Sequence, residues 1–90
     1  MFEAITNWID YRRDLRCRWR EDARRLLAAE EPGAYYEAQR RETRYRVRGD
    51  KAEFYHWAKV AAEIARLSPE VEMDMDVLRK IVAEEERRSR

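Results

Sequence analysis

The chain contains one histidine and one cysteine, the side chains that most often perform acid–base, nucleophilic or metal chemistry. His56 has no second histidine or cysteine near it in sequence, so it lacks the orienting partner of a general base and the further ligands of a metal site. Cys17 stands among arginines, which favour the reactive thiolate, but it has no base beside it. We therefore interpret His56 as a surface or half-buried structural residue and Cys17 as an inert thiol.

Two other patterns associated with ion or phosphate binding are incomplete. The carboxylates between Glu70 and Asp76 lack the glycine and the closing glutamate of a calcium-binding loop, and are typical of a helix N-terminus. Gly33 and Gly49 are isolated, so no glycine-rich phosphate loop is present. The sequence therefore predicts no catalytic residue, no metal and no cofactor, and we expect a protein that is not an enzyme.

Arginine is the polar residue that could form a binding surface, because it accounts for 17 of the 20 basic residues. Two stripes at helical spacing stand out as possible contacts to phosphate or to an acidic partner: Arg13, Arg16, Arg20 and Arg24 on the first helix, and Arg41, Arg44 and Arg48 on the second. Acidic residues four positions before some arginines, as in Glu21–Arg25 and Glu37–Arg41, equally fit solvated helix faces. The sequence leaves open whether the excess of arginine is functional or only compositional.

Composition limits the class of protein. Ninety residues predict one small helical domain spanning residues 1–90, and 20 basic residues against 19 acidic ones give a net charge near zero. Ten aromatic residues argue against disorder. A single cysteine, no signal-peptide pattern at the start and no long apolar run favour a cytoplasmic location.

The order of apolar residues predicts an all-α fold, a small bundle of three to four helices with a long N-terminal helix and a central helical hairpin. We predict helices at about residues 3–30, 34–48, 51–67 and 70–87. The prediction of the first helix depends on a stripe of mainly apolar residues whose average spacing is close to the 3.6 residues per turn of a straight helix. Its members are Trp8, Tyr11, Leu15, Trp19, Ala23 and Leu26. Asp22 interrupts this stripe, either as an ion pair at the rim of the core or as a polar contact that sets the register of an interface.

The third helix has the clearest boundaries. Gly49 suits the left-handed end of the preceding helix, and Asp50 with Glu53 forms a capping box. The apolar stripe that follows predicts buried Trp57, Ala61 and Ile64. Beyond Ser68-Pro69 the pattern fits either a strand or a helix, and we favour a helix that begins near Pro69 or only after Asp74. Residues 84–90 carry no apolar side chain and are expected to fray.

The hairpin of helices 2 and 3 resembles a single tetratricopeptide-type unit. The residues that carry the resemblance are Ala38, Tyr45, the turn Gly49-Asp50 and Ala61. Phe54 stands where that motif has a small alanine, Arg41-Glu42 replaces its Leu-Gly, and no second copy follows. The resemblance implies a shared hairpin geometry and not membership in the family.

Helix lengths predict where this protein binds. A first helix of about 40 Å is longer than a hairpin of about 25 Å can cover. The short turn at Pro32-Gly33 places Trp19 and Leu26 in the core, which leaves the first turns of helix 1 uncovered. We expect a protein partner or a second copy to bind Ile5, Trp8, Ile9, Tyr11 and Arg12. The alternatives are nucleic acid binding through the two arginine stripes and peripheral membrane association of the N-terminal helix.

Overall fold

Four helices make up the part of the chain that the structure describes. A computed structural model describes residues 2–68 and 74–89, with side chains from residue 4 onward. The helices are α1 (Phe2–Glu30), α2 (Ala34–Arg48), α3 (Lys51–Leu67) and α4 (Met75–Arg88), and no strand occurs among these residues. The all-α prediction, with a long first helix and a central hairpin, is confirmed.

The turn between α2 and α3 forms as its residues predict. Gly49 has a φ of 75°, which is the left-handed conformation that most other residues resist. The N–H of Gly49 donates to the carbonyl of Arg46 and the N–H of Asp50 to that of Tyr45, the pair of hydrogen bonds of a Schellman motif. The Asp50 carboxylate then accepts from the N–H of Glu53 at 3.2 Å and caps α3. Two residues thus end one helix and begin the next.

The core lies where α1, α2 and α3 meet. Val60 and Ile64 of α3 are fully buried, and Trp57 and Ala61 are almost so. The α2 residues completely buried in the core are small, Ala34 and Ala38, and the partly buried rings of Tyr35 and Tyr45 pack against the core beside them. Small side chains at these positions let the helices approach closely, so the core is compact but contains few large residues. The prediction that Trp57, Ala61 and Ile64 are buried is confirmed.

Helix α1 packs with only its C-terminal half. Leu26 is buried as expected, whereas Trp19 is half-buried and packs against the core from its edge. The Trp19 and Tyr55 rings meet edge to face at 6.4 Å, and Asp22 meets His56, so α1 and α3 run in the same direction. Because α3 begins at Lys51, four residues before Tyr55, its first turn lies at the level of Leu15 in α1. The preceding residues of α1 therefore extend beyond the end of α3.

Helix α4 packs against α2 and, within the described residues, against neither α1 nor α3. Of the two starts that the sequence left open, the one after Asp74 is confirmed, because Asp74 is extended (φ −81°, ψ 119°) and its side chain caps a helix that starts at Met75. A continuous helix from about residue 70, the bound favoured from the sequence, is wrong for the same reason. The part of that prediction on residues 69–73 lies outside the described residues. The expected fraying of residues 84–90 is also wrong as far as Arg88, because Glu85 is buried and forms an ion pair with Arg44 of α2.

Candidate interaction surface

The N-terminal part of α1 is the largest uncovered apolar segment in the described chain. We call residues 4–14 the α1 overhang, and every one of them is exposed. The four large apolar side chains of the overhang keep between 42% and 61% of their surface in solvent: Ile5, Trp8, Ile9 and Tyr11. No other helix in the described ranges covers them, since α3 begins only at the level of Leu15. The structure thus places the apolar residues selected from the sequence together on one free helix end.

This apolar surface continues the face of α1 that packs in the core. Leu15 and Trp19 are half-buried and lie seven and eleven residues after Trp8, on the same side of the helix. Arg12 also belongs to this face, because its guanidinium carbon lies 5.0 Å from the centroid of the Trp8 ring in a cation–π arrangement. One continuous strip is therefore covered by α3 at one end and open to solvent at the other.

The arginine stripe of α1 borders this strip. Arg13, Arg16, Arg20 and Arg24 are all exposed, and none forms an ion pair within 4.0 Å in the described part of the chain. Arg20 and Arg24 do act at longer range on α3. The pKa of Glu63 is held below its ordinary value, chiefly by a hydrogen bond from Arg66 and to a smaller extent by these two arginines. Among the described residues, no carboxylate pairs with the guanidinium groups of Arg13 and Arg16.

The arginines of α2 are arranged differently. Arg41 donates to Glu37 at 2.9 Å and also stacks over Trp57, with its guanidinium carbon 4.6 Å from the ring centroid. Arg44 donates to the buried Glu85 at 3.4 Å. Arg48 lies 5.9 Å from the Tyr45 ring. The second stripe is thus largely engaged in contacts within the bundle, and only the stripe of α1 presents several free guanidinium groups on one line.

A cleft of about 460 Å³ separates the C-terminal ends of α2 and α4. Arg44, Arg48 and Arg88 line it, but Glu85 lies among them and pairs with two of the three. Both helices also point their C-terminal ends here, where the helix dipole is negative. The cleft is therefore poorly suited to an anion. Sequence reasoning missed Glu85 because a glutamate in a polar run gives no sign of burial until its partner, 41 residues earlier, is known.

His56 is more deeply buried than the sequence indicated, with 6% of its surface exposed. Its Nε2 lies 2.7 Å from Oδ2 of Asp22, and because a carboxylate only accepts, the ring donates. Asp22 also forms an ion pair with Arg25 of α1, at a distance of 3.7 Å. The His56–Asp22 contact joins α1 to α3 and occupies one nitrogen of the histidine ring. The expectation that His56 has no orienting partner is therefore wrong, because Asp22 is distant in sequence but adjacent in the fold. Cys17 is exposed on α1.

The described residues contain no group of three histidine, cysteine or acidic side chains close enough to hold a metal ion. None of the helices in the described ranges has both the length and the apolar character needed to cross a membrane. The chain matches no protein-family model, no curated protein and no solved structure.

Proposed function

We propose that this chain is a non-enzymatic protein–protein interaction protein, a regulator, adaptor or accessory subunit of a larger assembly, and that it docks through the α1 overhang. The observation that carries this proposal is the exposure of Ile5, Trp8, Ile9 and Tyr11 on a helix end that no other described element covers. Exposed apolar residues are common singly, but a contiguous group of this size is typical of a binding surface.

The residue types in the overhang also favour binding. Tryptophan, tyrosine and arginine are the side chains that most often dominate the energy of protein interfaces. Trp8 and Arg12 are already stacked on each other, so ordering them in an interface costs less side-chain entropy than ordering two free side chains. Apolar burial contributes roughly 25 cal/mol per Å², so covering these rings would stabilise a complex substantially.

The non-enzymatic part of the proposal rests on the surroundings of the two residues that could perform chemistry. His56 is almost fully buried and its Nε2 donates to Asp22, so the ring serves as a contact between α1 and α3 rather than as a residue open to solvent. Cys17 is exposed with neighbouring arginines but has no histidine within reach, because His56 lies in the core. The exposed free thiol is better suited to a reducing compartment, and we propose a cytoplasmic location.

The test is recovery of partners from the native cell with tagged wild-type protein and with the double variant Ile5→Ser, Trp8→Ser. We expect the wild type to recover one stoichiometric protein and the double variant to lose it. The double variant Val47→Ser, Met75→Ser removes two exposed apolar side chains on α2 and α4 and is the matched control. Equal recovery by all three proteins would contradict docking through the overhang.

A second candidate function, nucleic acid binding, is favoured by the unpaired arginines of α1. Arg13, Arg16, Arg20 and Arg24 form a line of exposed cations that could follow a phosphate backbone. Engagement of Arg41 and Arg44 inside the bundle reduces the basic surface available for this. Nuclease treatment during the same recovery experiment, at two salt concentrations, distinguishes the two functions. Recovery that is lost with nuclease and falls steeply with salt would support nucleic acid binding instead.

A further inference from the structure

We infer that the α1 overhang binds an acidic amphipathic helix of a partner protein, which lies along α1 and continues the path of α3. This inference rests on the proposed docking function and identifies the chemistry of the partner. Three observations carry it. The strip to be covered is helical and continuous with a helix–helix contact, its border is basic and has no ion-pair partner among the described residues, and a second copy fits it poorly.

The shape of the site favours a helix. The strip is one face of α1, and from Trp19 onward the same face is covered by α3, which runs parallel to α1. The overhang of 11 residues is about 16 Å long, or three helical turns. A helix with apolar residues at i, i+3, i+4 and i+7 can place an anchor at each turn of such a face. The partner helix would therefore occupy the position that α3 would take if it began three turns earlier.

The charge of the border favours an acidic partner. With Trp8 at the centre of the strip, Arg16 and Arg13 lie about 80° and 140° around the helix on one side, next to Ile9. Neither arginine has an ion-pair partner in the described part of the chain. The acidic residues of this segment, Asp14 and Asp10, lie about 120° and 160° from Trp8 on the opposite side, beyond Tyr11, so the border beside Ile9 is the basic one. Carboxylates flanking the apolar anchors of the partner would complete the pairs that Arg13 and Arg16 lack.

A second copy of the chain does not satisfy these constraints. In a parallel pair of overhangs, the α3 helices of both copies would compete for the same side of the interface, because each covers the docking face of its own α1 from Trp19 onward. An antiparallel pair related by a twofold axis would bring the same border of each helix together. Arg13 and Arg16 of one copy would then face Arg13 and Arg16 of the other, which is electrostatically unfavourable.

Nucleic acid satisfies only half of the surface. Phosphates would pair with Arg13 and Arg16, and the bases of a single strand could stack on Trp8, but Ile5 and Ile9 would stay in water. An acidic amphipathic helix covers the apolar strip and neutralises its border at the same time. The observations therefore favour the helix, and nucleic acid binding is an outcome of the test.

The experiment is selection of helical peptides of about 20 residues from a displayed random library on the immobilised wild-type protein, with counter-selection on the Ile5→Ser, Trp8→Ser variant. We expect the enriched peptides to carry apolar residues at helical spacing and an excess of Asp and Glu beside them. The best peptide, labelled with a fluorophore, is then titrated against the purified protein and two charge variants. Arg13→Glu, Arg16→Glu should weaken binding by about tenfold or more.

The matched control is Lys80→Glu, Arg87→Glu, which changes the net charge equally at two exposed residues of α4, and it should weaken binding by less than about twofold. Enriched peptides with no acidic excess, or equal loss in both charge variants, would overturn the inference while docking through the overhang stands. A single-stranded or duplex oligonucleotide that binds the protein more tightly than the best peptide does would also overturn the inference. A dimer in sedimentation analysis that Ile5→Ser, Trp8→Ser abolishes would identify a second copy instead. Failure to enrich any peptide above the counter-selection would contradict the docking function itself.

Discussion

At the residue scale, the contact between His56 and Asp22 explains a polar interruption in an apolar stripe. Asp22 lies in the α1 face that packs on α3, and the buried His56 ring donates to it at 2.7 Å. Such a contact fixes how far α1 slides along α3, because a shift of one turn would leave the imidazole buried without its acceptor. The pair therefore helps to set the length of the overhang.

Removing the acceptor tests this role. Asp22→Ala should lower the free energy of unfolding by about 1–3 kcal/mol, because a buried donor on His56 is left unsatisfied. Asp14→Ala removes an exposed carboxylate of the same helix and should change stability by less than about 0.5 kcal/mol. Urea unfolding followed by far-ultraviolet circular dichroism measures both. Equal stabilities of the two variants would show that the contact contributes nothing to the packing of α1.

Trp57 combines a large buried ring with a polar atom that has no partner. Its Nε1 is buried and lacks an acceptor in the described structure, while Arg41 stacks on the ring. Trp57→Ala should cost about 3–5 kcal/mol, the range for deleting a large buried aromatic side chain. Trp57→Phe should cost clearly less, because it removes the unsatisfied donor and keeps a ring for Arg41. Thermal unfolding of the two variants gives the comparison, and an equal loss in both would contradict this explanation.

Glu42 should make stability depend on pH in a specific direction. Burial raises the pKa of this carboxyl above its ordinary value, and the Arg46 charge only partly opposes the effect. The folded state therefore binds the proton more tightly than the unfolded state, so this group lowers stability as the pH rises from the ordinary glutamate pKa through the raised one. Glu42→Gln should raise the melting temperature at pH 7, and its advantage over the wild type should shrink towards pH 4. An advantage that is the same at both pH values would contradict this assignment.

At the element scale, helix boundaries that depend on neighbouring residues were predicted more accurately than those that depend on residues distant in sequence. The end of α2 and the start of α3 depend on neighbouring residues, Gly49 and Asp50, and both were predicted correctly. The sequence left the start of α4 open between Pro69 and the residue after Asp74, because Ser68 and Asp74 are both good N-caps and local propensity does not decide between them. The continuation of α4 past Glu85 depends on Arg44 in a different helix, which no local pattern reveals.

The Gly49 turn gives a prediction at this scale. A Cβ at Gly49 would meet no atom within 4 Å, so replacing this residue costs stability only through its positive φ. Gly49→Ala should destabilise the protein by about 1–2 kcal/mol. Gly49→Asn should cost less, because asparagine tolerates the left-handed conformation better. Chemical denaturation of both variants tests the order, and a stability of the alanine variant equal to that of the wild type would contradict it.

The candidate site was predictable only in part, because some of its contacts join residues that are distant in sequence. The apolar residues of the overhang are visible in the sequence, and so is the mismatch between a long α1 and a shorter hairpin. The difference between the two arginine stripes was not predictable. Arg41 and Arg44 are engaged by Trp57 and Glu85, which are distant in sequence. Arg13 lies before the start of α3 and Arg16 beside its first turn, and neither has an ion-pair partner in the described part of the chain.

At the scale of the whole molecule, the protein is thin for its length. Its dimensions are 49 × 33 × 19 Å, so in one direction it is only about two helix diameters deep. The buried core contains many alanines and few large side chains, which limits the apolar surface that folding alone removes from water. A partner on the α1 overhang would extend this core along the continuous strip from Trp19 to Ile5.

The most direct measurement is photo-crosslinking of the full chain in the native cell. A photo-crosslinking amino acid is placed at position 8 in one variant and at position 87 in another, and the crosslinked products of the two variants are compared. Both positions are exposed, one on the overhang and one on α4. The proposed function predicts that irradiation joins position 8 to one defined protein, while position 87 gives no comparable product. Adducts at position 8 that are no more abundant or specific than those at position 87 would contradict the central claim that the overhang is a docking surface.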